Sequence, residues 1–347
     1  MPFPHKIKRE SNILLSGVWT GLATILASGI ANATFPLPMK YSRRWKWENT
    51  WLVFCTLALL VLPLAAASGM VGSLTAAYRG ASLAEFAPAL LCGFLWGTAQ
   101  VTFGIGIASV GMAMAFAIVV GMCSVLGSLF PMIVQRPGDL AARPGLLLMA
   151  SAAVLTCGLM LYAKAARSRE SGKQGGGRGG HYRQGLAVCL YTGAAGGAIN
   201  LGFAFSGALV DRVVGNGAPA QAASAAVWAV LLPAGYIPNL AYCLYLLARN
   251  RTLKTFGEET GREALLSSVM AVLWLSGWLG YGFGATAMGA HGTSVGFAAY
   301  MTALLLWSTY LGVLTGEWKA APAHAVRMMR ISVGVIALSV VVLSGAL

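Results

Sequence analysis

The sequence predicts an all-α integral membrane protein of ten transmembrane helices, arranged as two inverted five-helix repeats. Three observations carry that prediction. Of the 347 residues, 57% are hydrophobic and only 10% charged, against about a quarter charged in a soluble domain. Apolar runs of about twenty residues, the length a helix needs to cross the hydrocarbon core, recur along the whole chain. The chain also partly repeats itself at offsets that link its two halves.

The runs number ten: 12–38, 49–69, 86–108, 111–134, 144–165, 184–209, 221–248, 264–289, 294–316 and 328–346. Backbone groups in lipid must be satisfied within their own segment, so these are helices, and their Gly, Ala and Ser content suits close helix contact. The first run follows Lys6, Lys8 and Arg9 and ends near Ala31-Asn32-Ala33, the outline of a secretory signal peptide. Apolar character continuing to Pro38, and the match of this run to a later one, make it the first membrane helix instead. Residues 1–165 form the first expected repeat, 166–183 a basic Gly-rich linker and 184–347 the second.

Counted over alternate tails and links, the Lys and Arg residues divide 17 to 7. The richer side is expected to be cytoplasmic, which leaves both termini outside. The net charge of +14 is spread over short links in that way, and no nucleic-acid partner is expected; the surrounding partner is membrane lipid. Cys55, Cys92, Cys123, Cys157, Cys189 and Cys243 all lie in apolar runs without a C-x-x-C pair, so neither a disulfide framework nor a metal site is expected. The sequence holds no G-x-S-x-G, H-E-x-x-H or Walker pattern. No enzyme, no cofactor and no ATP-driven pump is expected.

The repeat is the strongest internal signal. An offset of 178 residues aligns Leu95-Trp96 with Leu273-Trp274, Thr98 with Ser276, Phe103 with Tyr281, Gly104 with Gly282, Gly106 with Gly284 and Gly111 with Gly289. An offset of 168 aligns Gly29, Asn32 and Phe35 with Gly197, Asn200 and Phe203. Five spans per half is an odd number, so the second half enters the membrane in the opposite sense. Inverted repeats of this kind recur in secondary transporters, with the solute near the midplane between the halves.

The residues also resemble a known family. Phe35-Pro36-Leu37-Pro38-Met39-Lys40, then Trp45-Lys46-Trp47-Glu48 and Trp51, look like the end of span 1 and start of span 2 in bacterial L-rhamnose–proton symporters of the drug/metabolite transporter superfamily. The stretch from Trp96-Gly97 through Gly104, Leu126-Gly127-Ser128-Leu129-Phe130-Pro131, and Gly312-Val313-Leu314-Thr315-Gly316-Glu317-Trp318-Lys319 are similar to it in the same order. The likeness covers nearly the whole chain and is patchy in spans 6 and 7. It implies a multi-pass protein of the bacterial inner membrane that takes up a small sugar, L-rhamnose or a similar deoxy-sugar, with a proton. A monomer or weak homodimer is expected.

A sugar site needs amides or hydroxyls for ring oxygens and flat apolar surface for C–H faces. Asn32, Gln100 and Asn200 supply amides, with helix-to-helix contact as the alternative role. Trp96, Trp274, Trp278, Tyr281 and Trp307 supply stacking surface, and the repeat partners Trp96 and Trp274 are favoured for the cavity. Trp45, Trp47, Trp51 and Trp318 lie beside charges at span ends and are expected as interfacial anchors. Gly104, Gly106, Gly282 and Gly284 are expected to permit close packing, while Pro233 and Pro238 raise a broken helix in span 7. Proton coupling needs a titratable group near the path. Glu317, Glu48 and His291 are the candidates, although basic neighbours make an ion pair the expected role of both carboxylates.

Overall fold

The computed structural model describes residues 4–170 and 182–346. Residues 171–181, most of the expected linker, lie outside the described residues. Those described form ten long helices and no strand: α1 (Pro4–Thr34), α2 (Trp47–Val71), α3 (Leu83–Val110), α4 (Met112–Gln135), α5 (Arg143–Glu170), α6 (Tyr182–Ala204), α7 (Ala220–Asn250), α8 (Thr260–Met288), α9 (Phe297–Leu314) and α10 (Ala323–Ser344).

Nine described segments are long and apolar enough to cross a membrane. One of them, Thr260–Leu314, has 55 residues, about 80 Å of helix at 1.5 Å per residue against a hydrocarbon core of about 30 Å. It divides into α8 and α9. Gly289 leaves α8 with φ +63°, and Gly292 presses so closely on the Ala285 carbonyl that no side chain fits there. Tyr300 then lies 5.2 Å from both Trp278 and Tyr281, and Phe297 lies 5.7 Å from Tyr281, so α9 runs back along α8.

Local sequence explains the other boundaries. Ser82 and Glu85 form a capping box that starts α3. The single residue Gly111, at φ +84°, separates α3 from α4. In α2 a π turn, Thr56–Val61, precedes Pro63 and accommodates the N–H that proline lacks. The break expected in span 7 is absent: α7 is continuous through Pro233 and Pro238. Asn239 Nδ2 donates to the carbonyls of Gly235 at 2.9 Å and Gly97 at 3.3 Å, so backbone beside the prolines keeps polar partners within the bundle.

The helices pair in a reciprocal pattern. Helix α3 packs on α6 as α1 does on α8; α4 packs on α6 as α1 does on α9; α3 meets α7 as α8 meets α2; and α5 lies on α10. Small residues allow these approaches. A Cβ added to Gly284 would stand 2.6 Å from the Gly21 carbonyl, one on Gly277 2.8 Å from the Asn32 Cβ, and one on Gly106 2.8 Å from Cys189 Sγ. Gly282 is equally confined by Trp228 and Ser224, whereas Gly104 faces open space and has no packing role. Large apolar side chains such as Leu91, Met160, Leu265 and Val341 point outward, as a lipid-facing surface requires.

Candidate functional site

Helix α8 carries an aromatic ladder, Trp274, Trp278 and Tyr281, at spacings of four and three residues that keep all three on one face. Around Trp274 both halves of the chain meet. Its ring stacks on Trp96 of α3 with centroids 5.7 Å apart and 28° between planes, and meets the edge of Phe54 of α2 at 6.2 Å. Its carbonyl accepts a 3.2 Å hydrogen bond from Asn32 Nδ2 of α1. Trp96 and Trp274, the two indoles favoured for the cavity, thus stand in contact, with Asn32 beside them. The other oxygen of the Asn32 amide carries no hydrogen bond among the described residues.

Gln100 sits one helical turn beyond Trp96 on the same side of α3. It is half-buried, and its amide has no hydrogen-bond partner among the described residues. Asn200 differs. Fully buried, it donates from Nδ2 to the carbonyls of Gly127 and Thr293, both at 2.7 Å, while its Oδ1 accepts from the Tyr281 hydroxyl. Both N–H donors and the amide oxygen are engaged, and the residue ties α4, α6, α8 and the turn before α9 together.

Further up the ladder lies a dense aromatic group: Trp278, Tyr281, Tyr300, Phe297, Phe203 and Trp228. Three donors inside it find no partner among the described residues: Trp278 Nε1, Tyr300 Oη and Trp228 Nε1. Ser124 Oγ of α4 is likewise unpaired. An unsatisfied buried donor costs about 1–3 kcal/mol, so such a concentration calls for an acceptor-rich guest. Trp228, Tyr300 and Ser124 were missed by sequence reasoning. Neither offset pairs Trp228 or Tyr300 with an aromatic residue, and although the 178-residue offset carries Ser124 onto Thr302, hydroxyl residues recur too often in apolar helices for that match to stand out.

The coupling candidates lie away from the ladder. Glu317 follows the expected ion-pair role, with Lys40 Nζ at 2.6 Å and Arg169 Nη1 at 3.6 Å. Glu48 does not. It is 5% exposed, has no ion-pair partner among the described residues, and its Oε1 accepts from Asn250 Nδ2 at 3.0 Å and Thr252 Oγ1 at 2.7 Å. Its basic neighbours in sequence make no ion pair with the carboxylate among the described residues. His291, in the α8–α9 turn, has a buried, unpartnered Nδ1.

The expected anchors are also redistributed. Only Trp47 is widely exposed; Trp45 is buried against Phe256, Trp318 is buried under Arg169, and Trp51 donates its indole N–H to Asn239 Oδ1 at 3.1 Å. Trp45 is covered by the α7–α8 link, Trp318 by α5 and α10, and Trp51 turns to α7. Trp307 bonds Thr34 Oγ1 at 2.9 Å, which occupies its N–H in joining α9 to α1.

Comparison with known proteins places this interior in context. Residues 11–346 match the family described as L-rhamnose-proton symport protein (RhaT). Curated relatives include the L-rhamnose-proton symporter of Cronobacter sakazakii, 22% identical over 331 residues, covering 92% of this chain and 95% of the relative. Those of Yersinia pestis and Yersinia pseudotuberculosis are each 23% identical over 337 residues, covering 94% of this chain and 96% of the relative. With the match running through every described helix from α1 to α10, the chain belongs to the L-rhamnose-proton symport protein family.

Proposed function

We propose that this chain carries L-rhamnose, or a deoxy-sugar of similar shape, into the bacterial cell together with a proton, in an alternating-access cycle between two inverted repeats. The observation that carries the sugar reading is the set of unpaired donors, Trp278 Nε1, Tyr300 Oη and Trp228 Nε1, inside an aromatic shell. Sugar oxygens accept such hydrogen bonds, while C–H faces and the methyl group of a deoxy-sugar suit indole and phenol rings. The solute would lie along the α8 ladder, touching Trp96, Trp274, Asn32 and Gln100 at one end and the unpaired donors at the other. Asn200 and Tyr281 hold the ladder in place.

The reciprocal helix pairing supports the inverted repeats, with residues 1–165 and 184–347 as the two halves. For the proton we assign Glu48, a buried carboxylate hydrogen-bonded by the neutral side chains of Asn250 and Thr252; Glu317, paired with two cations, serves structure. The richer basic links face the cytoplasm, and one chain, alone or as a weak homodimer, completes the path. Titrating purified protein with L-rhamnose and a sugar panel tests the site. Saturable binding of L-rhamnose that weakens in Trp278→Phe is expected. Binding indifferent to that change would contradict the placement.

A further inference from the structure

At each end of the bundle a link of one half is tied to a helix start of the other, and the internal offsets make the carboxylate and the arginine of the two ties equivalent. At one end the α1–α2 link meets the start of α8. There the Glu263 carboxylate, 1% exposed, accepts from Ser42 Oγ at 2.6 Å and from the backbone N–H groups of Arg43 and Arg44 at 2.8 and 3.1 Å. Arg44 Nε reaches Glu259 at 3.4 Å, and Arg262 donates to the Tyr41 carbonyl at 2.9 Å. Asn49 Nδ2 adds a 3.1 Å bond to the Thr252 carbonyl of the α7–α8 link.

At the other end the α6–α7 link meets the start of α3. Arg212 Nε donates to Glu85 Oε1 at 3.0 Å, and Asn216 Nδ2 donates to the carbonyls of Ala77 and Arg79 at 2.8 and 3.0 Å. The Tyr78 hydroxyl donates to the Ala226 carbonyl at 2.7 Å. The 178-residue offset that pairs Trp96 with Trp274 also carries Glu85 onto Glu263. The 168-residue offset that pairs Asn32 with Asn200 carries Arg44 onto Arg212. Each closure therefore joins a carboxylate in the first turn of α3 or α8 to the corresponding arginine in a link of the other half.

We infer that Glu263 with the Ser42–Arg44 backbone, and Glu85 with Arg212, are the two gate latches of the carrier: positioning groups that release in alternation, one face opening while the other stays shut. The inference rests on the inverted-repeat reading. A carrier with both faces open would leak its gradient, so each latch must hold while its counterpart is open. Polar latches suit this task. A carboxylate that meets water on release exchanges one set of hydrogen bonds for another, and the net difference between closed and open stays small. An apolar seal of equal area would favour the closed state far more strongly. Neither latch touches the aromatic ladder, so weakening one leaves the groups proposed to hold solute in place.

The test is hydrogen–deuterium exchange on the full chain in lipid nanodiscs, comparing parent, Glu263→Gln, Arg212→Gln and the double variant. Arg212 is chosen because Glu85 also caps α3 through Ser82. Ser42→Ala provides a milder perturbation of the first latch. Glu263→Gln should speed exchange across 41–46 and 250–258 by about tenfold and slow it across 74–81 and 212–218. Arg212→Gln should do the reverse, and the double variant should restore the parental balance between faces. Faster exchange confined to the altered end, or at both ends together, would mean plain structural clamps and overturn the inference. L-rhamnose titrated into every sample separates the two readings. A parent that fails to bind it counts against the sugar assignment alone, whereas bound sugar without reciprocal exchange counts against the latches alone.

Discussion

Replacing Tyr300 by Phe should move two measurements in opposite directions. The Tyr300 hydroxyl is buried without a partner among the described residues, so in the empty carrier it carries an uncompensated desolvation cost. Phe keeps the ring, which packs 5.2 Å from both Trp278 and Tyr281, and removes only the hydroxyl. Stability of the sugar-free protein should stay level or rise, by up to about 1–3 kcal/mol. With sugar bound the same hydroxyl has an acceptor, and its loss should weaken affinity by about 0.5–1.5 kcal/mol, roughly two- to thirteenfold. The assay is thermal unfolding of purified protein with and without L-rhamnose, beside calorimetric titration. A lower melting point without sugar would show that the hydroxyl already had a partner. Unchanged affinity would show that it does not face the solute; either result refutes the reasoning.

Four further outcomes are expected. Asn200→Ala removes three buried hydrogen bonds, each worth about 0.6–1.7 kcal/mol between membrane helices, so it should lower melting temperature and binding together. Gln100→Ala, which breaks no bond within the protein, should keep the parental melting curve while losing about 0.5–1.5 kcal/mol of sugar affinity by calorimetry. Glu48→Gln keeps an acceptor for Asn250 and Thr252 but holds no exchangeable acidic proton. It should retain sugar counterflow in vesicles and lose uphill accumulation, and full accumulation would remove Glu48 from the coupling role. Gly284→Ala drives a methyl into the Gly21 carbonyl and the Ile25 side chain. It should cost about 1–3 kcal/mol of stability, visible as reduced folded yield and an earlier melt.

The helices were legible because bilayer thickness dictates their length and the chain supplies ten apolar runs of that length. The α8–α9 reversal was legible too, since Gly289 and the glycines after it punctuate an apolar stretch far too long for one crossing. What the sequence hid are matters of partnership. Glu48 stands among Lys46, Arg43 and Arg44, which suggests an ion pair, yet its carboxylate turns to Asn250 and Thr252, about two hundred residues away. Trp45 and Trp318 have the sequence setting of interfacial anchors but are covered, one by the α7–α8 link and the other by α5 and α10, in ways that no local pattern reveals. Pro233 and Pro238 suggested a break that neighbouring packing prevents. The offsets drew attention to Trp96, Trp274, Asn32 and Asn200, all of which the structure places in the interior. They passed over Tyr300 and Trp228, whose positions in the other half hold no aromatic residue.

Proton-driven sugar uptake can be measured outright as radiolabelled L-rhamnose accumulation in proteoliposomes containing only this chain, with an inward proton gradient and no nucleotide. Accumulation above the external concentration is expected, abolished when a protonophore collapses the gradient. Failure to take up L-rhamnose, or equal accumulation with the gradient collapsed, would contradict it.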